Sequence, residues 1–370
     1  MEFAEIPVID FSPFLEANQE QVARQVDEAL CKHGFLYLTN HGISKEKIEE
    51  AFQWSRKFYT LPLSERLKLV APNPTTSYGY TALNTEIVRG RPCMKESFEF
   101  GNPDFLNRPS MWPSEELLPG FKEGLMAFYE DCSRLTRRLL DCLSLALHLP
   151  PDYALINYHI RSLFSMDLIR YPAVPVQALR SGSQVRLPAH SDPNALTILF
   201  QEDIPKSGNE GDGIIGSGLE IAVVGSSERG TSESYEKTGT WRAVAPKPGT
   251  VIVNVGYLLK RWTNSRWKSA VHRVGEPVKL SASIAEKSQP GGEKQGQKTI
   301  EEDEKDAEIE AEMAPERYSI PFFSAPDPET VIEALPGTWG EEKPKKWGPL
   351  PVADYWAKKR RDIKLDQHQD

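Results

Sequence analysis

A short stretch in the middle of the chain, residues 187–193, places His190 and Asp192 two positions apart between two prolines. On a strand, residues two apart project from the same face. A second histidine, His272, lies much further along the chain in another β-like run, 269–274. Two histidines and one carboxylate form the facial triad of non-haem Fe(II) proteins, which leaves coordination positions open for reactants. We therefore interpret the rest of the chain as the scaffold that holds these three side chains.

The His-x-Asp pair is a weak signal by itself, because His190 could be an ordinary surface histidine. Its position at the start of a β-run favours a metal site, and so does the strand-like context of His272. A third run begins with Arg317 and Ser319. An arginine and a serine two residues apart present a guanidinium and a hydroxyl on one strand face, which is a good receptor for a carboxylate.

From about residue 157 the sequence consists of short β-rich runs, and this pattern predicts the fold class. Short runs such as 196–200, 219–224 and 250–255 are separated by turn residues, as in a sandwich or a jelly roll. Before them, apolar residues at helical spacing predict helices over about 18–32, 44–59 and 119–147, and a further helix is expected over 352–365.

The predicted domain organisation follows from the changes between helical and β-rich segments along the chain. We expect an N-terminal helical and strand region over 1–150, a catalytic core over 151–340 and a C-terminal helical tail over 341–370. Segments rich in Gly, Ser and charge near 205–240 and 281–315 are typical of solvated insertions in the core. The second insertion has too few apolar residues to offset the entropy of ordering, so we expect it to be disordered.

The net charge limits what the protein is expected to bind, and the cysteines indicate where it is expected to act. A formal net charge of −9 argues against nucleic acid or an anionic membrane as the main partner, so a small-molecule substrate is expected. The four cysteines include no CxxC pair, and neither a leader peptide nor a membrane-spanning run is visible. We therefore expect a cytoplasmic protein. The oligomeric state stays open.

Several motifs together resemble the isopenicillin N synthase-like group of Fe(II)/2-oxoglutarate oxygenases. They are His190-x-Asp192, His272, Arg317-x-Ser319, and the stretches 6–11, 33–37, 40–42, 95–98, 170–172, 254–256 and 268–274. The resemblance covers nearly the whole chain outside the insertions. The stretches 317–323 and 332–337 are most similar to those of fungal members of the thymine-hydroxylase type.

The resemblance implies a mainly β fold with α additions: a double-stranded β-helix, or jelly roll, flanked by N-terminal and C-terminal helices. It implies that His190, Asp192 and His272 are the iron ligands. Such enzymes use Fe(II), dioxygen and 2-oxoglutarate, and they are often found in fungal secondary metabolism.

The resemblance also implies roles around the metal. Arg317 and Ser319 would bind the distal carboxylate of 2-oxoglutarate, and the Tyr171 hydroxyl would contact the same molecule. Phe323 stands where the family often stacks an aromatic ring on the substrate, although an ordinary core phenylalanine is an equal interpretation. Two positions depart from the family, Ile169 and Tyr257, and neither is a ligand.

Strand alternation singles out Asp167. If Tyr171 points into the barrel, Ile169 and Asp167 point inward too. An ionised carboxylate there is costly unless it is paired. Asp167 would therefore pair with Arg161 or Arg170, lie in solvent before the strand begins, or accept a hydrogen bond from the substrate.

Three functions are compatible with the sequence. The first is an Fe(II)/2-oxoglutarate oxygenase that hydroxylates, desaturates or cyclises a specialised metabolite or a nucleobase-like heterocycle. The second is an iron oxidase of the isopenicillin N synthase or aminocyclopropane carboxylate oxidase type, which has the same Arg-x-Ser and does not use 2-oxoglutarate. The third is a jelly-roll binding protein without metal.

Overall fold

The structure is a computed structural model that describes residues 2–16, 18–72, 78–88, 90–102, 109–202, 218–223, 232–277 and 312–366. Its helices are α1 (Ser12–Glu16), α2 (Gln19–Lys32), α3 (Lys45–Thr60), α4 (Leu63–Leu67), α5 (Phe121–Ala146), α6 (Val176–Arg180), α7 (Ser232–Thr238), α8 (Tyr257–Trp262) and α9 (Val352–Asp366). Short 3-10 helices span Pro151–Tyr153 and Leu155–Tyr158.

The strands in the first half of the chain are β1 (Val8–Asp10), β2 (Phe35–Thr39), β3 (Tyr80–Thr81), β4 (Ile87–Val88), β5 (Arg91–Pro92), β6 (Glu96–Gly101), β7 (Ser165–Tyr171) and β8 (Val174–Pro175). Those in the second half are β9 (Leu187–His190), β10 (Leu196–Gln201), β11 (Leu219–Val223), β12 (Thr240–Ala243), β13 (Thr250–Val255), β14 (His272–Val274), β15 (Met313–Ala314), β16 (Arg317–Ser324), β17 (Val331–Ile332) and β18 (Leu350–Pro351).

The larger strands form two sheets. One has the order β1-β2-β13-β10-β16-β7-β6-β3, and the other has the order β12-β11-β14-β9. Except for the parallel pair β1 and β2, the neighbours in both sheets run antiparallel. Strands from the N-terminal region (β1, β2, β3 and β6) complete the larger sheet, and the predicted division at residue 150 stays a prediction.

The main core lies between the larger sheet and helices α2, α3 and α5. Helix α5 buries Phe121, Leu125, Phe128 and Cys132, because these residues recur at three or four positions and so form one stripe. The strands of the larger sheet contribute alternate residues to this core, listed here for β16 and β7: Tyr318, Ile320, Phe322, Met166 and Leu168. The residues between them therefore point to the other face of the sheet.

That other face looks toward the smaller sheet. Phe35, Tyr37 and Ile252 of the larger sheet pack against Leu219 and Ile221 of β11. A second cluster joins the two sheets: Ile169 and Tyr171 of β7 with Leu187 of β9 and Val274 of β14. Two antiparallel sheets that pack face to face, with helices covering the larger one, form the predicted jelly roll, so the expected fold class is confirmed.

Most helix predictions agree with the structure. Ser44 begins α3, as expected, and its side chain accepts a hydrogen bond from the Lys47 amide. Asn18 precedes α2, but its side chain makes no capping bond. Among the described residues, no helix has both the length and the apolar character needed to cross a bilayer.

The predicted insertions need one correction. Most of the segment 205–240 and nearly all of 281–315 lie outside the described residues. Residues 232–238, however, form α7 rather than a solvated loop, and Tyr235 on this helix is buried. The Glu236 carboxylate accepts a hydrogen bond of 2.6 Å from the Ala189 amide. Periodicity could not predict this helix, because Tyr235 is its one large apolar residue.

Candidate metal and co-substrate site

His190, Asp192 and His272 come together between the two sheets. Their ligand atoms all lie within 4.8 Å of one another. His190 ends β9 and His272 begins β14, and these two residues are register partners in the smaller sheet. Asp192 lies just beyond β9, with its Oδ1 at 3.6 Å from His190 Nε2 and 3.5 Å from His272 Nε2. Strand pairing thus joins two ligands that are far apart in the sequence.

The backbone sets the orientation of both imidazole rings. His190 Nδ1 lies 2.9 Å from the Pro188 carbonyl oxygen, and His272 Nδ1 lies 3.2 Å from that of Ala270. Because a carbonyl oxygen only accepts, each Nδ1 carries the proton and each Nε2 keeps its lone pair. Both lone pairs are therefore available to a metal ion on the side where Asp192 lies.

Asp192 is held so that one carboxylate oxygen stays available. Its Oδ2 accepts hydrogen bonds from Thr197 Oγ1 at 2.6 Å and from Asn254 Nδ2 at 2.7 Å. The loop after it packs tightly on Gly256, where an added Cβ would lie 2.1 Å from the Asn194 carbonyl oxygen. Residues Thr197 and Asn254 thus direct Oδ1 toward the two histidines.

Burial and mutual charge shift the pKa of each member of this group. Burial, reinforced by His272, lowers the pKa of His190 to about 4. Burial alone would raise the pKa of Asp192, but His272 and the hydrogen bonds to its carboxylate hold it well below its usual value. For His272, burial disfavours the charged form, yet the neighbouring Asp192 raises the pKa. A carboxylate and two imidazole nitrogens fit the preferences of Fe(II).

Arg317, Ser319 and Tyr171 lie together on the inner face of the larger sheet. Arg317 and Tyr171 are register partners on β16 and β7, and the guanidinium lies over the tyrosine ring at 4.9 Å from its centroid. Arg317 Nη1 donates to Ser319 Oγ at 3.2 Å, while its buried Nε has no hydrogen-bond partner among the described residues. Burial lowers the pKa of Arg317.

A second buried arginine near this cluster was not predicted from the sequence. Arg186 immediately precedes β9 and is 1% exposed. Its Nη2 donates to the carbonyl oxygens of Pro172 and Pro315 at 3.3 and 2.5 Å, and within the described part of the chain its Nε has no partner. Burial and the nearby Arg317 lower the pKa of Arg186 to about 10.

Within the described part of the chain, neither guanidinium has a carboxylate at ion-pair distance. Two buried positive charges without counterions are costly, so this region is suited to a bound anion. The donors present fit the distal carboxylate of 2-oxoglutarate.

The two predicted substrate residues also lie on the inner face. Phe323 is half-buried and pairs across the sheet with Thr197, which bonds the metal-site carboxylate. Asp167 is buried and alternates with the core residues Met166 and Leu168. The expected arginine partners of Asp167 are engaged elsewhere, Arg161 with Glu329 and Arg170 with Glu96 and Glu316.

Comparison with known proteins identifies the family of the chain. Residues 6–115 match the family described as the N-terminal region of a non-haem dioxygenase in morphine synthesis, and residues 151–285 match the 2OG-Fe(II) oxygenase superfamily. A 2-oxoglutarate-dependent dioxygenase of Epichloe uncinata, lolO2, is 30% identical over 380 residues, covering 96% of this chain and 91% of the relative. The proline hydroxylase buaE of Petromyces alliaceus is 29% identical over 342 residues, covering 90% of each chain.

Solved structures are similar to this chain as well. The full-length thymine-7-hydroxylase of Neurospora crassa in complex with alpha-KG, which is 2-oxoglutarate, is 28% identical with a TM-score of 0.74 and 96% coverage of both chains. Another structure of that protein is in complex with alpha-KG and thymine. The chain therefore belongs to the 2OG-Fe(II) oxygenase superfamily, and it is a dioxygenase that uses Fe(II), 2-oxoglutarate and dioxygen to oxidise a small molecule.

Proposed function

We propose that His190, Asp192 and His272 bind the catalytic Fe(II), and that Arg317, Ser319 and Tyr171 bind 2-oxoglutarate. The observation that carries the metal assignment is the convergence of two Nε2 atoms and one carboxylate oxygen within 4.8 Å. The observation that carries the co-substrate assignment is the pair of buried guanidiniums, Arg186 and Arg317, that no carboxylate among the described residues neutralises.

Each group of residues has a distinct task in this proposal. The bound iron, together with 2-oxoglutarate and dioxygen, supplies the oxidation of a C–H bond. The Pro188 and Ala270 carbonyls keep each Nδ1 protonated and each Nε2 free to coordinate. Thr197 and Asn254 restrict Asp192 to a single coordinating oxygen. Arg317 fixes the far end of the co-substrate, and the apolar contacts of Ile169 and Tyr171 with the smaller sheet exclude water.

Single alanine substitutions of the three ligands test the metal assignment. Removal of one donor in three should reduce the iron bound per chain to a small fraction after anaerobic loading, and should reduce turnover to background. His33→Ala is the matched control, because His33 caps the end of α2 and is not part of the group that converges with Asp192, so this variant should retain full iron content. A ligand variant that keeps both its iron and its turnover would remove that residue from the site.

Anaerobic titration of the Fe(II) enzyme with 2-oxoglutarate tests the co-substrate assignment. Binding should produce the charge-transfer absorption of an Fe(II)–2-oxoglutarate complex, and admission of air should release succinate. Arg317→Met should weaken binding by about thirtyfold or more, because it removes a buried charge partner. No absorption band and no succinate would instead favour an iron oxidase that does not use 2-oxoglutarate.

The substrate is proposed to be a specialised metabolite or a nucleobase-like heterocycle, with Phe323 against one of its faces. The fungal relatives and the thymine complex of the Neurospora hydroxylase support this choice. We further propose that the enzyme acts in the cytoplasm, since its four cysteines are free thiols. Imaging of a fluorescent fusion in the producing cells would test the location.

A further inference from the structure

A buried carboxyl group on the inner face of β7 has no role in binding iron or 2-oxoglutarate. Asp167 is 8% exposed, and its Oδ1 has no hydrogen-bond partner among the residues that the structure describes. Ser97 on β6 forms a side-chain hydrogen bond to the carboxyl group. A carboxylate oxygen that is buried without a donor costs free energy, so it is seldom retained without a compensating partner.

The position of Asp167 directs it toward the space between the sheets. Ile169 and Tyr171, two and four residues later, pack against Leu187 and Val274 of the smaller sheet. Strand alternation places Asp167 on that same face. Phe323 on the neighbouring strand pairs with Ser165, two residues from Asp167, so the two side chains are diagonal neighbours.

Phe323 also lies between Asp167 and a residue that supports the proposed metal site. Phe323 pairs on its other side with Thr197, the residue that donates to Asp192 Oδ2. Asp167 is two strands away from Thr197, at about 4.8 Å per strand, and two residues further along, at about 3.3 Å per residue, so the two lie roughly 12 Å apart. A substrate bound against Phe323 would therefore place one end near the metal ligands and the other end near Asp167.

The charges around Asp167 are predominantly acidic. Glu99 on β6 is its register partner, and Glu86 also raises its pKa. Lys95 opposes this effect on the pKa of Asp167, but it is buried and forms an ion pair of 2.7 Å with Glu86. Lys95 is thus committed to Glu86, and no cation among the described residues forms an ion pair with Asp167. The ionised form of Asp167 would therefore lack a counterion within the described part of the chain.

We propose that Asp167 is the substrate-recognition residue of this oxygenase and that it binds a protonated amine of the substrate. This inference rests on the proposed function and names the substrate class for the same site. An ammonium group would supply both the missing donor to Oδ1 and the missing positive charge. A neutral amide would supply only the donor, so an amine fits the acidic surroundings better.

A screen of matched compounds tests the assignment. The probes are cyclic and open-chain amines, including L-proline, each paired with its nitrogen-free analogue, such as cyclopentanecarboxylic acid. Succinate formation by the Fe(II) enzyme is measured above the rate without any added compound. We expect amines to stimulate succinate formation and their nitrogen-free analogues to have no effect. Asp167→Asn should lower kcat/KM for the stimulating amines by about thirtyfold or more, mostly through KM.

Two further measurements separate this role from a structural one. Asp167→Asn should keep the 2-oxoglutarate charge-transfer band with unchanged affinity. Asp354→Asn, which removes an exposed carboxylate from α9, is the control and should leave all values unchanged. Infrared difference spectra should also show that a protonated carboxyl group of the wild-type protein ionises when the amine binds, and Asp167→Asn should lack this signal.

Three results would overturn the inference: no amine in the panel stimulates succinate formation, nitrogen-free compounds stimulate equally well, or Asp167→Asn keeps the wild-type kcat/KM. In each case the charge-transfer band would persist, and the proposed function would stand without this substrate class. Loss of the band in the wild-type enzyme would instead mean that the proposed function itself had failed.

Discussion

The buried carboxyl group of Asp167 should make the stability of this protein depend on pH in a way that one substitution removes. Burial raises the pKa of Asp167 from 3.8 to about 8, with Lys95 opposing the shift and Glu99 and Glu86 adding to it. Tyr59 is the other titratable group coupled to it. Between about pH 4 and pH 8 the folded state therefore holds a proton that the unfolded state has released. Stability from this group is complete below pH 4 and falls as the pH rises toward 8.

The magnitude follows from the size of the shift. Each unit of pKa difference corresponds to about 1.4 kcal/mol, so the penalty accumulated by pH 8 is on the order of 5 kcal/mol. Asp167→Asn keeps the shape of the side chain and removes the titration. It also weakens the hydrogen bond to Ser97, which costs about 1 kcal/mol at every pH. The variant should therefore be slightly less stable than the wild type near pH 4 and several kcal/mol more stable near pH 8.

Denaturant unfolding at several pH values between 5 and 8 measures this effect. A chelator removes bound metal beforehand, so that metal release does not contribute to the unfolding transition. The titration of all other groups cancels when the unfolding free energies of wild type and variant are subtracted. Asp354→Asn provides the exposed control and should show a difference that does not vary with pH. A constant difference between wild type and Asp167→Asn across the range would show that the carboxyl group is ionised and already paired in the folded protein, which would refute the argument.

Three other substitutions test residues that support the site. Arg186→Met removes a buried charge and should raise the Kd for 2-oxoglutarate about tenfold while iron binding stays unchanged; an unchanged Kd in the charge-transfer titration would exclude a role in anion binding. Thr197→Val removes the hydrogen bond to Asp192 Oδ2 and should weaken Fe(II) binding about tenfold in a competition with a chelator, whereas equal affinity would show that Asn254 alone suffices. Glu236→Ala leaves the Ala189 amide without an acceptor and should cost about 1–3 kcal/mol of unfolding free energy, compared with little for the exposed Glu233→Ala on the same helix.

The sequence predicted the elements that depend on local pattern. Helix α5 follows from apolar residues at helical spacing, and its observed span, Phe121–Ala146, agrees closely with the predicted 119–147. Alternation along β7 predicted that Asp167 and Tyr171 share the inner face. The alternating residues 96–101 carry the same signal for β6.

Features that depend on tertiary contacts could not be predicted in this way. Arg186 lies before β9 with no motif around it, and its importance arises because folding brings it near Arg317. The ion-pair partners of Arg161 and Arg170 are carboxylates distant in sequence, so the sequence alone could not show that Asp167 would lack an arginine. Lys95 was visible as part of a family motif, yet its pairing with Glu86 depends on how the β4–β5 hairpin lies against β6.

The inner face of β7 contributes residues to both the proposed 2-oxoglutarate site and the proposed substrate site. Tyr171, near its end, contacts the Arg317 guanidinium, whereas Asp167 lies four residues earlier, roughly 13 Å along the strand. The Arg317 end carries positive charge suited to a dicarboxylate, and the Asp167 end holds a buried carboxyl group that an incoming cation would ionise. Because these ends are separated, we expect that residues of β6 and the first half of β7 can change without disturbing the proposed iron ligands or the arginine cluster. Replacement of Asp167 by a basic or neutral residue should therefore alter which substrate is accepted while the reaction with 2-oxoglutarate stays the same.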